Sequence, residues 1–359
     1  MVYSKRLACI VVLLLSWTGL VIAPATVGAA TTRWRVQPTP SPVGRGAFFD
    51  GVSCGSTTNC VAVGYSQGSG GDFDLRRLLE RWNGTSWSVE VTPSAFSTMV
   101  FNAVSCPTAQ FCAVVGANEN GPSIDMWNGH AWSERPVAFG STLLGVSCVS
   151  AASCVAVGEG TRSQSLILRW NGAKWSGVTP PAHGATQLNA VTCVSAANCF
   201  AVGDGTGSSV ALVDHWNGAS WSVQDIQAPA GYMYGANLGG VACLSARSCY
   251  LVGYSPATSG DRRLAEHWNG RAWTISVTPG PAGDTLFNAA SCRSGQCVFV
   301  GSTGALPFVV RSNGSQFTDE SVQVPPGGAT LYGVACPTAT NCFAVGGTGQ
   351  SVTLAEHSD

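Results

Sequence analysis

Charge is what this sequence has least of. Only 10% of its 359 residues are Asp, Glu, Lys or Arg, and the signs nearly balance at 18 basic against 19 acidic. Binding to a nucleic-acid backbone needs a concentrated positive face, so no nucleic-acid partner is expected. Disorder driven by net charge is excluded on the same count. After about Ala23 no apolar run is long enough to cross a bilayer. The five histidines are unclustered, so no metal and no cofactor are expected. Gly-rich stretches such as Gly68-Ser69-Gly70-Gly71 lack phosphate-binding spacing and read as linkers, and no nucleophile and base stand at a recognisable spacing.

What is present begins with a leader. Lys5 and Arg6 precede an apolar stretch from Leu7 to about Ala23, and Val27-Gly28-Ala29-Ala30 offers small residues for cleavage. We read residues 1–29 as a signal peptide and 30–359 as the mature domain, secreted or displayed at the cell surface. No membrane span then remains, and the expected state is a monomer.

Beyond Cys9 the cysteines form seven local pairs: Cys54/Cys60, Cys106/Cys112, Cys148/Cys154, Cys193/Cys199, Cys243/Cys249, Cys292/Cys297 and Cys336/Cys342. In an exported chain an even number at fixed spacing predicts disulfides, each a staple across a short polar loop. The first members recur every 42 to 52 residues, the period of four-stranded propeller blades. A closed ring of repeats is one unit however long it runs.

Each repeat can be cut into four strands. Strand a ends at the first Cys and strand b starts at the second, both short apolar runs suited to burial on two faces. A small residue stands three places before every first Cys (Gly51, Ala103, Gly145, Ala190, Gly240, Ala289, Gly333), which predicts that strand a is innermost. Strand c leads into Trp-Asn-Gly-x-x-Trp, where Asn-Gly predicts a hairpin and parity places both tryptophans on one face. The seventh repeat stops after strand c. Its missing strand is matched by residues 34–37, which predicts a ring closed by pairing these with the C-terminal strand. The fold expected is therefore an all-β, seven-bladed propeller.

Taken together, the Val-Ser-Cys, Cys-x-Ala-Val-Gly and Leu-x-x-Trp-Asn-Gly-x-x-Trp elements resemble the Asp-box (BNR-type) repeats of sialidases and of photosystem-assembly propellers. The closing aromatic matches at Trp87, Trp132, Trp175, Trp221 and Trp273, and the turn glycine at Gly84, Gly129, Gly172, Gly218 and Gly270. The resemblance implies the fold of secreted, bacterial-type seven-bladed propellers. The family's Asp is replaced here by Asn or Trp, and cysteines replace the usual aromatic and Gly of the a-b turn.

Two residues before the first Trp position, five repeats carry a carboxylate: Glu80, Asp125, Asp214, Glu266 and Glu356. Their recurrence around the ring predicts bonding between neighbouring blades rather than catalysis. The same reading covers His215, His267 and His357.

The a-b and c-d loops are nearly constant, whereas the b-c and d-a loops at the other end vary, and binding residues concentrate on such loops. The candidate patch is Tyr232, Tyr234, Tyr254, Asp261, Arg262 and Arg263. A second patch on the first blade holds Tyr65, Asp72 and Asp74. Asp50, Asn102, Asn189 and Asn288 add polar groups at the channel mouth. Aromatic faces beside polar groups suit a glycan or an extracellular protein, so a non-catalytic binding module is expected. The alternatives are a sialidase-like glycan hydrolase or lyase, which would need three convergent arginines, and an assembly or scaffold factor.

Overall fold

The computed structural model describes residues 33–40, 46–68, 74–92, 99–137, 140–182, 186–204, 211–226, 236–256, 260–276 and 284–358. The expected leader, residues 1–29, lies outside them. Among the described residues no helix is long and apolar enough to cross a membrane.

The first strand is β1 (Arg33–Gln37). Repeat one forms β2 (Ala47–Ser56), β3 (Asn59–Gln67), β4 (Leu75–Trp82) and β5 (Trp87–Val89). Repeat two forms β6 (Met99–Thr108), β7 (Phe111–Asn118), β8 (Gly121–Trp127) and β9 (Trp132–Arg135). Repeat three forms β10 (Thr142–Ser150), β11 (Ser153–Glu159), β12 (Ser165–Trp170) and β13 (Trp175–Val178). Repeat four forms β14 (Gln187–Ser195), β15 (Asn198–Asp204), β16 (Leu212–Trp216) and β17 (Trp221–Val223). Repeat five forms β18 (Asn237–Ser245), β19 (Ser248–Ser255), β20 (Arg262–Trp268) and β21 (Trp273–Ile275). Repeat six forms β22 (Thr285–Arg293), β23 (Gln296–Thr303), β24 (Leu306–Ser312) and β25 (Phe317–Val322). Repeat seven forms β26 (Ala329–Ala335), β27 (Cys342–Thr348) and β28 (Thr353–Ser358).

Repeats one to five are four-stranded antiparallel sheets in chain order. Repeats six and seven share one eight-stranded sheet, ordered β22-β23-β24-β25-β1-β28-β27-β26. In it β1 pairs antiparallel with β28 (Arg35 opposite His357) and parallel with β25 (Trp34 opposite Val322).

The first strand of each repeat packs against the first strands of the repeats before and after it, including β26 against β2. The small residues make this approach possible. A Cβ on Gly145 or Gly240 would come within 3.0 Å of the Cα of Ala190 or Ala289, and one on Gly333 within 3.0 Å of Gly51 Cα. Apolar side chains of strands b and c fill the spaces between sheets, as where Leu78 and Trp82 meet Phe343 and Val345.

All seven expected disulfides are present. Each crosses the a-b hairpin, as expected, and in all repeats but the seventh the first strand runs on beyond its cysteine. Cys54 stands directly opposite Cys60, and β2 runs on two residues beyond Cys54 before the turn. The same register holds at Cys148/Cys154, Cys193/Cys199, Cys243/Cys249 and Cys292/Cys297. At Cys106/Cys112 the ladder slips between Ser105 and Thr108, so the bridge spans a bulge.

The second cysteine of every pair is a core residue. Cys60, Cys112, Cys154, Cys199, Cys249, Cys297 and Cys342 are at most 2% exposed. The reason is the place of strand b, which is packed between sheets on both faces: Cys112 lies with Val61 and Leu79 of repeat one, Cys154 with Ala113 and Val115 of repeat two, Cys249 with Phe200 of repeat four and Cys297 with Tyr250 of repeat five. Each sulfur bridge therefore adds to the apolar layer between repeats.

The tryptophan pairs are also in register, Trp82 opposite Trp87 and Trp216 opposite Trp221, with ring centroids 5.6–5.8 Å apart in all five pairs. They pack on the preceding repeat: Trp82 and Trp87 on Phe343, Trp268 and Trp273 on Phe200. Across the same interfaces Arg81 lies over Trp127 at 4.6 Å and Arg169 over Trp216 at 4.4 Å, cation-π contacts. In the turns only the glycine takes a positive φ, 101° at Gly84 and 97° at Gly218. The asparagine acts through its side chain: Asn83 Oδ1 accepts the backbone N–H of Thr85 and Ser86 at 2.9 and 3.0 Å.

The carboxylates depart further from expectation. Glu80, Asp125, Asp214, Glu266 and Glu356 are fully buried. Asp125 has a cation across the interface, Arg77 Nη1 at 3.8 Å, but the carboxylate oxygens of Glu80 and Glu356 have no hydrogen-bond partner. Burial raises Glu80 to about 7 and Glu356 to about 8. Glu80 shares its strand face with Leu78 and Trp82, which pack on Phe343 and Val345. The histidines contact both their own sheets and the next: His215 and His357 stack on Phe200 and Phe343 at 4.4 and 4.3 Å and face Trp268 and Trp82 of the following repeats at 6.4 and 6.2 Å, and His267 bonds Ser248.

Candidate functional site: the bulged inner rim

Every first strand breaks register at the same place, ahead of the small residue, and five break again near the first cysteine. The residue skipped is Asp50, Asn102, Leu144, Asn189, Gly239, Asn288 or Tyr332, always between two residues paired to strand b. Each is a β-bulge, which turns an otherwise ladder-bound residue out of the pairing and re-aims its side chain. These positions form a rim near the variable-loop end, directly before the small residue of the close approach. They differ in chemistry where their neighbours do not.

The three asparagines use the bulge as a clamp. Asn102 Nδ2 donates to Leu143 O at 2.7 Å, Asn189 to Leu238 O at 3.0 Å and Asn288 to Leu331 O at 2.8 Å. Each amide thereby ties its repeat to the next, so the donors expected at the channel mouth are committed to the scaffold. An ionised Asp50 has no proton to offer at the equivalent place, and Leu144 and Gly239 have no donor in their side chains. Tyr332 keeps 39% of its surface exposed.

Asp50 and Tyr332 belong to adjoining repeats, and Tyr65 completes a cluster with them. Burial raises the Asp50 carboxyl to about 7. A Cβ on Gly333, next to Tyr332, would lie 3.2 Å from Asp50 O, so the two bulges adjoin, and the Tyr65 phenol is raised by burial first and then by Asp50 and Tyr332. Phe48 lies opposite Tyr65 in the hairpin, ring centroids 5.6 Å apart, and packs over Gly347 of repeat seven, where any Cβ would collide with its ring. One protonatable acceptor thus sits among aromatic rings at a junction without an asparagine clamp.

Repeats four and five form a second polar cluster. Asp204 Oδ2 accepts from Asn189 Nδ2 at 3.0 Å and Gln187 Nε2 at 3.4 Å, while its buried Oδ1 has no partner. Tyr254 is raised by burial, then by Asp261 and Asp204.

Of the residues expected from sequence, Tyr254 and Arg263 are cross-strand partners, Ser255 and Arg262 the next pair, and Asp261 precedes β20. Arg263 turns into the interface with repeat six. Its guanidinium lies 5.4 Å from the rings of Phe287 and Phe308 and 3.8 Å from Asp319, with 7% of the side chain exposed. Arg77, opposite Tyr65, does the same toward repeat two, donating to Thr92 O and facing Asp125. These two arginines brace sheets. Asp74 pairs with Arg76 at 3.3 Å on the surface. Tyr232, Tyr234 and Asp72 lie outside the described residues. The bridged cysteines take no part in the rim, since Cys112, Cys154, Cys249 and Cys297 are enclosed between sheets and offer a ligand no surface. Sequence reasoning missed Tyr332 and Asp204. Tyr332 precedes Gly333 as Asp50 precedes Gly51, so alignment on the small residue would have found it. Among the described residues no group of three His, Cys, Asp or Glu could hold a metal ion.

No family model and no curated protein sequence matches the chain. Solved structures do. YCF48 bound to D1 peptide aligns with a TM-score of 0.62 at 15% identity, covering 90% of this chain and 94% of that one. YCF48 from Cyanidioschyzon merolae gives 0.61 at 13%, covering 90% and 98%. The SapL1 lectin in complex with alpha methyl fucoside gives 0.53 at 14%, covering 77% and 96%. At these identities the likeness defines the fold, a β-propeller, and leaves activity to be argued from the site.

Proposed function

We propose that this chain is an exported, seven-bladed propeller, each repeat one blade and β1 the fourth strand of the seventh, that binds a glycan at the inner rim around Asp50, Tyr65 and Tyr332. The observation carrying this is the rim itself: asparagine clamps stand at Asn102, Asn189 and Asn288, whereas two consecutive bulges hold a carboxyl and an exposed phenol beside Tyr65 and Phe48. Aromatic faces pack against the apolar face of a sugar ring, and a carboxylate accepts from its hydroxyls. Tyr254, Asp261 and Arg262 extend the same face. Seven disulfides fit the extracellular setting in which such a glycan is met.

A protein partner is the second reading, favoured by the similar fold of YCF48 bound to a peptide. A sialidase-like hydrolase has less support, because Arg77 and Arg263 are engaged between sheets. The test is a screen of the oxidised mature protein against cell-wall glycans and secreted peptides, repeated with Tyr332→Ala. Glycan hits lost in Tyr332→Ala are expected. Peptide hits alone would replace the glycan reading, and an unchanged hit pattern in the variant would move the site away from the rim.

A further inference from the structure

The opposite end of the inner strands carries a second set of bonds between repeats. Cys106 N donates to Ser53 Oγ at 2.9 Å, Cys148 N to Ser105 Oγ at 2.9 Å, Cys193 N to Ser147 Oγ at 3.0 Å and Cys336 N to Ser291 Oγ at 3.0 Å. In each, the hydroxyl just before one repeat's first cysteine receives the N–H of the next repeat's first cysteine. Cys54 and Cys292 fall outside the series, because the repeats before them offer Ala335 and Ala242 in place of Ser, and of the two only Cys54 lines the cavity at this end of the inner strands. Its N–H cannot turn to its own hairpin either. Cys54 and Cys60 are directly opposite with Cα atoms 3.9 Å apart, the close spacing of a pair that exchanges no backbone bonds.

Cys54 lines a cavity of about 350 Å³ between the ends of the inner strands, with Thr57, Ser105, Arg293 and Cys336 among its walls. Arg293 is exposed. The Ser105 hydroxyl accepts from Cys148 N, which leaves its own proton to donate. The surroundings have one sign. The seven a-b loops and six Asn-Gly turns contain no Asp or Glu and hold Lys174, Arg247, Arg271 and Arg293.

We propose that this cavity is an oxyanion site, taking a phosphate or sulfate group on Arg293, the Cys54 N–H and the Ser105 hydroxyl. A guanidinium, an N–H and an O–H lining one cavity, with no carboxylate among the lining residues, make the kind of donor set such a group requires. The site lies at the end away from the glycan rim and is independent of it. The group can arrive as a free ion or as an ester on a sugar, and the two differ in what else the cavity must hold.

The test is calorimetric titration of the oxidised protein with inorganic phosphate, inorganic sulfate and glucose 6-sulfate at constant ionic strength, with chloride as the control. Saturable binding is expected, weakened at least tenfold in Arg293→Gln and less in Ala335→Ser, whose hydroxyl would engage the Cys54 N–H. Arg247→Gln, which removes a cation from the same end without touching the cavity, should bind as wild type. Tighter binding of glucose 6-sulfate than of sulfate would assign the ester as the source, and equal binding the free ion. Absence of saturable binding to any probe, or undiminished binding in a folded Arg293→Gln, overturns the proposal.

Discussion

Trp34 Nε1 donates a 2.7 Å hydrogen bond to Glu320 Oε2, joining residues 286 positions apart. Glu320 also holds Arg311, whose Nε lies 2.6 Å from Oε1. Repeats one and two have the same triad: Trp132 Nε1 donates to Glu90 at 2.7 Å, and Glu90 holds Arg81. β1 therefore brings to repeat seven what β9 brings to repeat two. Glu320→Ala leaves a largely buried guanidinium uncompensated and should cost about 2–3 kcal/mol in urea unfolding. Trp34→Phe keeps the ion pair and should cost about 1 kcal/mol. Equal losses in the two variants would contradict this division.

The buried carboxyls make stability depend on pH. Burial raises Asp125 to about 6, Glu80 and Asp214 to about 7, and Glu356 to about 8. The folded state then binds protons more tightly than the unfolded chain, so their contribution is full below the unfolded carboxyl range and is lost as pH rises through 6 to 8. His215 and His267 act oppositely: burial lowers both, so their charging opposes folding as pH falls below about 6.5. Thermal midpoints should fall from pH 6.5 to pH 8.5, and Glu356→Gln should flatten the fall by raising the midpoint at pH 8.5. A midpoint rising over that window would refute the assignment.

The sequence made the strands, disulfides and tryptophan pairs legible because each is local and periodic: the Cys54/Cys60 and Trp82/Trp87 partners lie within six residues of one another. The burial of Cys112, Cys154, Cys249 and Cys297 was less legible, because it depends on the neighbouring sheet that covers strand b. The contacts that join neighbouring inner strands at either end are not local. Ser105 meets Cys148 and Asn102 meets Leu143 only once two repeats are side by side. The bulge at Asp50 was hidden because a strand looks continuous in sequence even where one residue drops out of register. Glu80 invited a pairing expectation because a carboxylate recurs at its position around the ring, whereas its oxygens have no hydrogen-bond partner and its strand face packs in an apolar layer.

The inner-strand hydroxyls should contribute individually and modestly. Ser147→Ala removes one bond to Cys193 N and should cost about 1 kcal/mol. Ala242→Ser, which supplies a hydroxyl where repeat five lacks one, should stabilise by a similar amount. Denaturant midpoints moving the same way in both would argue against the bridge.

Each disulfide closes a loop of only a few residues, so its loss should be mild. Cys193→Ala with Cys199→Ala should cost about 2 kcal/mol on the chain-entropy account and leave the fold intact. Full reduction should lower the thermal midpoint much further, a contrast read directly by calorimetry with and without reductant.

The central claim is that the rim at Asp50 and Tyr332 is where the ligand sits. Its most direct test is the affinity of the strongest glycan hit for wild type, Asp50→Asn and Asn288→Ala. Asp50→Asn can adopt the clamp made by Asn102 and should fold normally while losing at least tenfold in affinity, a loss of about 1.4 kcal/mol. Asn288→Ala should lose stability and retain binding. An Asp50→Asn protein that binds as tightly as wild type would contradict the account.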